Sequence, residues 1–356
     1  MPGESLAGIR AGGAWLTDDG PDADVVASTR VRLARNLAGF PFVSRASEAQ
    51  RREIVALLRR VAMPADVASR LTWVELERTP MRDRQLLVER RLISRQLAEG
   101  DAPRAVAFTP EHSASVMVNE EDHIRLQAML PGLRLEEAHR RADAIDDAIE
   151  ACVDYAFDRR WGYLTACPTN VGCGIRVSVM VHVPALRITN EIERVRRAAR
   201  DLNLAIRGFD GEGTEGAGDF FQVSNQVTLG FCEEDLIEQF RSSVVPRLVE
   251  YERQARRLLV RQSPAALDDR LHRALAVLRS ARLLGGEEAL KLLSRVRMGI
   301  LMGRLRDVDL AVVNGLFMRL QPGHLCAAAG RDLGAEELRE QRASVARSAF
   351  DGCARA

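Results

Sequence analysis

The sequence predicts an α+β fold, with a sheet in the first two thirds of the chain and helices alone in the last third. The sheet is predicted from two neighbouring runs: Trp161–Cys167 is typical of a buried strand, and Ile175–Val183 alternates as a strand does. Helices are predicted from residue 233 onward, where apolar residues recur at helical spacing between breaks at Pro264 and Pro322. We expect chemistry in the Pro/Asn/Gly loop between the two runs, because rigid elements flank it.

The composition excludes several classes of protein. A formal net charge of +1 over 356 residues argues against general nucleic-acid or membrane-surface binding, and no signal peptide or ~20-residue apolar span is visible. The six cysteines follow no metal-binding or disulfide-framework spacing, so we expect free thiols and a cytoplasmic protein. Lys291 is the only lysine, which nearly excludes Walker-type phosphate loops, protein kinases with a strand lysine and Schiff-base enzymes.

The stretch Val25–Asn36 reads as extended chain and carries two arginines with one residue between them. In an extended segment Arg30 and Arg32 share one face, and two guanidinium forks on one face suit a polyphosphate. The alternative is a solvated edge strand. Taken alone, this stretch favours the edge strand.

The remaining elements follow from the same periodicities. The predicted strands are 105–109, 113–119 and 220–229. The predicted helices are 47–63, 134–159, 189–204, 233–260, 264–283, 286–304, 307–320 and 334–350. Glu120, Glu121 and Asp122 are predicted to lead into a further helix, whose N-terminal dipole would favour acids. The alternative is that one of these carboxylates points into a site, with Arg125 one turn further on.

A glycine-rich segment precedes the strand predicted at 220–229. Gly211 to Gly216 match the G-x-G-x-x-G pattern of dinucleotide-binding proteins, which requires a helix directly afterwards. A strand follows here, so we reject a dinucleotide site. The segment is instead predicted to be a mobile loop that carries Glu212 and Glu215 and can close over a ligand.

Four segments occur together in a recognisable order: STRVRLARN from Ser28, NEEDHIR from Asn119, CPTNVGCGIRVSV from Cys167 and RGFDGEGTE from Arg207. In this order they resemble the phosphagen kinase family, which includes the arginine and creatine kinases. The resemblance covers about residues 24–254 and is strongest in the CPTN and NEEDH segments. Within the family the chain is most similar to the bacterial protein-arginine kinases, because STRVR begins at Ser28 and about 100 helical residues follow the catalytic region.

The resemblance implies an architecture. Residues 1–254 would form a phosphagen-kinase-like catalytic domain, with a central antiparallel sheet flanked by helices and a short N-terminal lobe of about residues 1–100. Residues 255–356 would form an all-α C-terminal domain, through which the protein would form a homodimer.

The resemblance also implies the reaction, which is transfer of the ATP γ-phosphoryl group to arginine guanidinium groups of proteins. A guanidinium with a pKa above ~12 is a poor nucleophile until it loses a proton. Glu121 and Glu212 match the two carboxylates that orient the guanidinium and accept that proton. Cys167 matches the family's reactive cysteine, whose thiolate lies against the substrate guanidinium.

The resemblance implies that residues from five parts of the chain bind ATP and that Mg²⁺ is held mainly by ATP oxygens and water, without a protein metal site. The implied ATP-binding residues are Ser28, Thr29, Arg30, Val31, Arg32, Arg91, Arg125, Arg176, Val177, Ser178, Val179, Met180, Arg207, Gly208, Phe209, Asp210 and Gly211.

The sequence departs from the family pattern at several positions. Cys173 replaces a threonine, Asp210 a tyrosine, and Arg91 a histidine near the adenine end of the pocket. The family's phosphoarginine-sensing element R-D-x-x-R-A is best matched by Leu338–Ala343, where the Arg-Asp pair is lost, so sensing through this element is in question. Glu215, Cys173 and His182 are interpreted as structural.

The partners implied by resemblance are protein substrates with exposed arginines, a Clp protease unfoldase, a heat-shock repressor and an activator protein, in stress response and protein quality control. Two alternatives stay open. One is a kinase for free arginine or another small guanidine. The other is a non-catalytic phosphoarginine-binding adaptor, which would bind ATP without turnover.

Overall fold

The computed structural model describes residues 14–17, 20–61, 71–208 and 216–353. Its strands are β1 Val26–Arg35, β2 Thr72–Glu75, β3 Ala105–Phe108, β4 Ala114–Val118, β5 Ile124–Pro131, β6 Phe157–Asp158, β7 Gly162–Tyr163, β8 Ile175–His182, β9 Leu204–Gly208 and β10 Phe220–Asn225. All strands except β6 and β7 belong to one antiparallel sheet of eight strands, in the order β2-β3-β4-β5-β1-β8-β10-β9.

The α-helices of the first two thirds are α1 Glu48–Arg60, α2 Met81–Glu89, α3 Arg95–Glu99, α4 Leu135–Glu150, α5 Pro184–Ile188 and α6 Ile192–Asp201. Those of the last third are α7 Glu233–Gln239, α8 Val245–Gln262, α9 Pro264–Ser280, α10 Gly286–Leu301, α11 Leu310–Arg319, α12 Pro322–Ala329 and α13 Ala335–Cys353. The predicted fold class is therefore confirmed. The division of the chain at residues 254 and 255 stays a prediction.

Strand β1 lies at the centre of the sheet, not at its edge. It pairs with β5 on one side and with β8 on the other. The edge-strand interpretation of this stretch is therefore wrong. The alternation within β1 separates its two faces: Val31 and Leu33 are fully buried in the core, whereas Arg30 and Arg32 lie on the opposite face of the sheet.

The core lies between the apolar face of the sheet and the helices that cover it. Val31, Leu126 and Val177 on neighbouring strands are fully buried there. Helix α4 packs on this face, with Ala138 and Ala142 fully buried against β1 and β5. On the opposite face, Val106, Phe108 and Met117 of β3 and β4 pack in a second, smaller core with Leu86 and Leu87 of α2, and the central strands carry polar side chains.

The segment Trp161–Cys167 is not a buried strand. Only Gly162 and Tyr163 pair, with β6 in a separate two-stranded hairpin, and Trp161 is 44% exposed. The reason is the turn at Gly162, whose φ of +75° breaks the extended run, and a Cβ there would lie 2.5 Å from the Gly172 carbonyl oxygen. Strand β8 pairs instead with β1 on one side and with β10 on the other, both antiparallel.

The acids at 120–122 do not lead into a helix. They form the turn of the β4–β5 hairpin, in which Asn119 adopts a φ of +59° and its amide donates to the His123 carbonyl oxygen at 3.0 Å. Asn tolerates this left-handed conformation and the β-branched Ile124 then favours a strand. The helix predicted at 134–159 also ends earlier, at Glu150.

The helices of the last third begin and end close to the predicted positions, and α12 is an addition to them. Pro322, interpreted as a break, is in fact the first residue of α12. No helix in the described ranges is long and apolar enough to cross a membrane.

Candidate active site

The open face of the sheet carries five arginines on four strands, namely Arg30 and Arg32 on β1, Arg125 on β5, Arg176 on β8 and Arg207 on β9. Register brings them together: Arg32 lies directly opposite Arg176, and Arg125 lies opposite Ala34 on the other side of β1. Arg207 is opposite Gln222 of β10, whose side chain reaches Arg30. The sequence prediction that these arginines share one site is consistent with this face.

The arginines depress one another's pKa values. Burial, together with the charges of Arg91, Arg125 and Arg176, lowers the pKa of Arg30 to about 9. Burial and three neighbouring guanidinium groups lower the pKa of Arg32 well below its ordinary range. The Nε of Arg32 is buried, and no described residue accepts a hydrogen bond from it. A concave cluster of positive charge with an unsatisfied donor fits a polyanion such as a nucleotide polyphosphate.

Polar side chains hold the arginines in place. Arg30 Nη2 donates to Gln222 Oε1 at 2.7 Å, and Arg176 Nη2 donates to Ser224 Oγ at 3.2 Å. Arg125 donates to the Glu120 carboxylate at 2.5 Å. Burial alone would raise the pKa of Glu120, but the charge of Arg125 and hydrogen bonds outweigh it and lower the pKa. Glu120 is therefore an ionised anchor.

Four of these arginines, Arg30, Arg32, Arg125 and Arg207, form the floor of a cleft of about 350 Å³. A second side of this cleft comes from the segment that joins α2 to α3, and a third from the end of α11 and the start of α12. The residues that line it away from the arginines are Gln85, Val88, Glu89, Arg91, Ile93, Ser94, Arg95, Met117, Gln127, Met318, Gln321 and Pro322. The charged floor suits phosphates, and the apolar members of this lining suit a planar base.

Arg91 is held at this second side of the cleft. Its φ of +63° is a left-handed conformation, and its carbonyl oxygen accepts a hydrogen bond from Gln127 Nε2 on β5. The next carbonyl oxygen, that of Leu92, accepts from Ser115 Oγ at 2.9 Å. Two bonds to the sheet thus fix the backbone from which Arg91 reaches the cleft.

The other predicted ATP-binding residues fall into three groups. The first group comprises Thr29, Val31, Val177 and Val179. Their side chains face the core, so they cannot contact a nucleotide. The second group lies on the arginine face but is buried between strands, and comprises Ser28, Ser178 and Met180. Gly208 ends β9, and the remaining predicted residues, Phe209, Asp210, Gly211 and the catalytic candidate Glu212, lie outside the described residues, as does Glu215.

Asp122 joins the loop of Glu121 to the loop of Cys167. Its Oδ1 accepts a hydrogen bond from the backbone amide of Ala166 at 2.7 Å and another from Asn36 Nδ2 at 2.6 Å. Glu121 and Cys167 are the next residues along the chain from the two partners of the bond between Asp122 and Ala166. Glu121 and Cys167 were predicted site residues, whereas Asn36 was not, and Asp122 was predicted only as one of three neighbouring acids.

Glu121 is the acid of this turn whose carboxylate remains available to a substrate. Within the described ranges, no side chain or amide donates a hydrogen bond to its carboxylate, whereas Glu120 and Asp122 accept two or more each. Burial raises the pKa of Glu121 above its ordinary value of 4.5, and the charge of Arg125 offsets part of this rise. A half-buried carboxylate with a raised pKa is suited to accept a proton.

Asn36 and His123 fix this turn to the end of β1. The His123 amide donates to Asn36 Oδ1 at 3.0 Å, and the Leu37 amide donates to His123 Nδ1 at 3.0 Å. His123 Nε2, which must then carry the ring hydrogen, lies 2.9 Å from the Pro41 carbonyl oxygen. Burial lowers the pKa of His123, so the ring is neutral and acts as a spacer.

The loop that carries Cys167 is held by Thr228, in the segment that follows β10. Thr228 Oγ1 lies 2.9 Å from the Thr169 carbonyl oxygen and 2.7 Å from that of Val171. Gly172, with a φ of +116°, approaches so closely that a Cβ there would lie 2.8 Å from the Thr228 carbonyl oxygen. Cys167 Sγ is partly exposed at the loop's edge, 3.0 Å from Thr169 Oγ1.

Arg35 anchors the other end of this loop and was not singled out from the sequence. It is buried, donates to the Cys173 carbonyl oxygen at 3.0 Å and to Asp146 Oδ2 at 2.9 Å, and lies 3.6 Å from the centroid of the Tyr163 ring. From the sequence, Arg35 could be taken for a member of the cluster of Arg30 and Arg32. Because successive residues of a strand point to opposite faces of the sheet, Arg35 lies on the other face and contacts α4.

Two residues interpreted as structural have structural partners. His182 is fully buried; its Nδ1 accepts from Arg297 Nη1 at 2.7 Å, and burial lowers its pKa well below 6.5. Cys173 is half-buried, its Sγ lies 3.5 Å from the Thr228 carbonyl oxygen, and burial raises its pKa. In the C-terminal element, Arg342 donates to the carbonyl oxygens of Leu320 and Leu284, which ties α13 to α11.

The third side of the cleft depends on a contact between α2 and α12. The Glu89 carboxylate accepts hydrogen bonds from the amides of Gly323 at 2.7 Å and His324 at 3.0 Å, and from His324 Nδ1 at 2.7 Å. These bonds satisfy the free amides at the start of α12. They position Gln321 and Pro322, directly before and at the helix start, over the cleft.

The chain is similar to known proteins along nearly its whole length. The model of the ATP:guanido phosphotransferase C-terminal catalytic domain matches residues 54–255, and that of the protein-arginine kinase McsB C-terminal domain matches residues 264–356. A protein-arginine kinase of Moorella thermoacetica is 46% identical over 343 residues, which cover 95% of this chain and 97% of that protein. One of Halothermothrix orenii is 41% identical over 333 residues, covering 93% and 94%.

Solved structures show the same fold at lower identity. Lombricine kinase superposes with a TM-score of 0.56 at 24% identity, covering 67% of this chain and 69% of that chain. The substrate-free duplicated taurocyamine kinase from Schistosoma mansoni has a TM-score of 0.55 at 24% identity, covering 72% and 39%.

These matches show that the chain belongs to the phosphagen kinase family, whose members are ATP:guanido phosphotransferases. The resemblance predicted from the four sequence segments is thereby confirmed, as is the prediction of an enzyme. Its branch is the McsB type, since the C-terminal domain match and the two bacterial relatives together extend along nearly the whole chain.

Proposed function

We propose that this enzyme transfers the γ-phosphoryl group of ATP to the guanidinium groups of arginine side chains in proteins. The observation that carries the proposal is the pairing of two features: a face with five arginines, and a catalytic loop pair joined by Asp122 at the end of the same strand β1. The arginine face fits the phosphoryl donor, ATP, and the two loops fit the acceptor guanidinium. The names of the bacterial relatives support protein arginine as the acceptor.

The arginines are proposed to bind and stabilise the polyphosphate. Arg30, Arg32 and Arg176 face one another across β1 and β8, and the depressed pKa values of Arg30 and Arg32 would return towards the ordinary range when phosphate oxygens neutralise the cluster. Arg125 and Arg207 would add donors from the flanking strands. Positive charge that is already in position needs no rearrangement when negative charge builds up on the leaving ADP.

The acceptor is proposed to lie between Glu121 and Cys167. The Glu121 carboxylate takes a proton from one guanidinium nitrogen of the substrate, and the nitrogen lone pair then forms an N–P bond to the γ-phosphorus. The bond from phosphorus to the bridging oxygen breaks, and that oxygen leaves as part of ADP. Cys167 would orient the guanidinium, and Glu212 is proposed as the second carboxylate from the sequence resemblance alone.

Magnesium is proposed to accompany ATP. The acids next to the arginine face fit this arrangement, because Glu120 and Asp122 are already used as hydrogen-bond acceptors. The ion would therefore be held by phosphate oxygens and water, and would neutralise phosphate charge during transfer.

The wider role is proposed from the family branch. It comprises marking of proteins for a Clp protease unfoldase, relief of heat-shock repression, dependence on an activator protein, dimerisation through the C-terminal helices and a cytoplasmic location. Three proposed partners are proteins, so each can be tested by mixing purified components. A monomer in light scattering at micromolar concentration would count against the dimer.

The test is phosphotransfer by the purified chain with Mg-ATP to a loosely folded arginine-rich protein and, separately, to free arginine. Phosphoarginine, which is acid-labile, is located by mass spectrometry. Label on the protein that is lost in Glu121→Gln and Cys167→Ala supports the proposal. The matched control is Glu287→Gln, which removes an exposed carboxylate paired only with Lys291 and should leave labelling unchanged.

The other outcomes separate the alternatives. Label on free arginine but not on the protein would assign the enzyme to small guanidines. No label on either, together with ATP binding in calorimetry that is the same in Glu121→Gln, would favour the non-catalytic adaptor.

A further inference from the structure

Exposed apolar side chains surround the loop of Cys167. In the described part of the chain, thirteen large hydrophobic residues are exposed, and five of them lie in the two segments that hold this loop. Phe157 and Trp161 belong to the β6–β7 hairpin and are 58% and 44% exposed. Val227, Leu229 and Phe231 follow β10 and are 42%, 44% and 47% exposed. Single exposed hydrophobics are ordinary, but a group of five beside one functional loop is not.

Both segments touch the loop at the same residue, Gly172. On one side, Gly172 exchanges two backbone hydrogen bonds with Tyr163, at 2.8 and 3.4 Å, and Phe157 packs edge-on against Tyr163 with ring centroids 5.3 Å apart. On the other side, a Cβ at Gly172 would lie 2.9 Å from the Leu229 Cα. The hairpin and the 227–231 segment therefore form one continuous surface across the loop, which we term the apolar collar (residues 157, 161, 227, 229 and 231).

Apart from Phe157, which packs on Tyr163, the side chains of the collar are not needed to hold the loop. Thr228, not its neighbours, makes the hydrogen bonds to the loop, and it is buried while Val227 and Leu229 on either side of it point outward. Trp161 is exposed too, with the Arg160 guanidinium 4.7 Å from its ring centroid. Side chains that do not stabilise the loop and are kept apolar at the surface indicate contact with another molecule.

We propose that the apolar collar is the docking surface for the polypeptide residues that flank the acceptor arginine, and that it selects arginines within exposed apolar segments. This proposal rests on the proposed function. A guanidinium that reaches Glu121 and Cys167 brings its own chain to the mouth of this loop, and three residues of extended chain span ~10 Å on either side. The flanking residues must therefore pass over the collar. A free guanidine has no such residues.

The chemistry of the collar defines the sequences that it would prefer. Contact with the aromatic and branched aliphatic side chains of the collar removes the Leu, Val, Ile or Phe side chains of a substrate from water, which makes binding more favourable. In a folded protein such residues are buried. The collar would therefore favour arginines in segments that have lost their tertiary packing over arginines on a folded surface.

The test compares two peptides with one central arginine, flanked by Leu, Val and Phe in one and by Gly and Ser in the other. Steady-state phosphorylation with Mg-ATP gives kcat and KM, and fluorescence anisotropy of labelled peptides without ATP gives the Kd. The full chain is used, as wild type, as a Leu229→Ser/Phe231→Ser double variant, and as Leu258→Ser. Leu258 is 42% exposed on α8 and is the matched control.

Wild type and Leu258→Ser are expected to bind the apolar-flanked peptide about tenfold more tightly, in KM and in Kd. The double variant is expected to reduce this preference to about one, with kcat on the Gly/Ser-flanked peptide unchanged. Equal affinity of wild type for the two peptides, or a preference retained by the double variant, would overturn the proposal. So would a change of mass in light scattering without a change of preference, since the collar would then be a contact between two copies of this chain.

The two readouts separate this proposal from the proposed function. If wild type phosphorylates neither peptide, the proposed function fails, and anisotropy still decides whether the collar binds the apolar-flanked peptide. If the double variant does not fold, as judged by circular dichroism, Trp161→Ser on the exposed hairpin tests the same surface. Loss of preference in Trp161→Ser supports the collar, and a retained preference opposes it.

Discussion

Arg32 and Arg176 lie directly opposite each other on the two central strands of the sheet. Like charges at directly opposite positions destabilise a sheet, and burial adds a desolvation cost for each. The strands nevertheless pair without a break between Ser28 and Leu33. The protein therefore carries an unfavourable contact on its open face, which a bound anion would relieve.

Replacement of Arg32 by Met is expected to stabilise the protein and to abolish ATP binding. The change removes a buried Nε that no described residue satisfies, and one charge from the cluster. Relief of an unsatisfied buried donor is worth about 1–2 kcal/mol. Urea unfolding without nucleotide should show the gain, and the thermal shift on adding Mg-ATP should disappear. Arg270→Met, on an exposed position of α9, should change neither; a less stable Arg32→Met that still binds ATP would contradict the argument.

Asp122 is expected to act by positioning. Asp122→Ala removes the acceptor of the Ala166 amide and the Asn36 amide group, so Glu121 and Cys167 lose their fixed separation. Misplacement by about 1 Å can cost on the order of 100-fold in kcat. Asp122→Asn keeps an oxygen at Oδ1 and should retain most activity. Steady-state kinetics of both variants test this, with ATP affinity expected to be unchanged; equal losses in Ala and Asn would indicate that the charge is what counts.

The activity is expected to fall on acidification through the pKa of Glu121. The base must be ionised to accept a proton, and burial raises its pKa, so the acidic limb of kcat/KM should lie above the ordinary value of 4.5. Glu121→Gln should lower kcat about 10²- to 10⁴-fold and remove that limb. The measurement is a pH profile of phosphotransfer over the range in which the protein stays folded. An unchanged limb in Glu121→Gln would assign it to another group.

Glu89 is expected to couple the helical tail to nucleotide binding. Glu89→Ala removes the acceptor of two α12 amides and of His324, at a cost of about 2 kcal/mol in the free energy of unfolding. Because Gln321 and Pro322 would lose their position over the cleft, ATP affinity should fall as well. Urea unfolding and calorimetry measure the two effects. Glu287→Gln, which removes an exposed ion pair with Lys291, is the control. If Glu89→Ala is destabilised but binds ATP with unchanged affinity, the C-terminal helices do not contribute to nucleotide binding.

Elements with a strong local pattern were predictable from the sequence. The alternation of Ile175–Val183 predicted β8 to within one residue, and the helices of the last third were placed from their apolar spacing and breaks. Trp161–Cys167 was predicted wrongly because an apolar run is typical of burial, whereas Trp161 is exposed and most of the residues that follow it are only partly buried. Exposure of an apolar residue depends on what the rest of the chain covers, and a local window does not contain that information.

The candidate site was predictable where its residues form contiguous segments and not where they act through distant partners. Arg30, Arg32 and Glu121 belong to recognisable segments. Asn36 and Asp122 gain their part only by meeting across 86 positions of chain. The third side of the cleft was not predicted for the same reason, because it depends on the contact between Glu89 and Gly323, which are 234 positions apart.

The order of the strands has a consequence for how the site comes into being. Ser178 Oγ on β8 donates to the carbonyl oxygen of Arg30 on β1, a contact that spans 148 positions. During synthesis β1 leaves the ribosome before β8, and the sheet cannot form beside the arginines of β1 until β8 has been made. Closing so long a loop is slow compared with forming helices. The nascent chain therefore exposes its anion-binding strand to the cell before it has a nucleotide site, and a chaperone or a polyanion at that stage would meet an open edge.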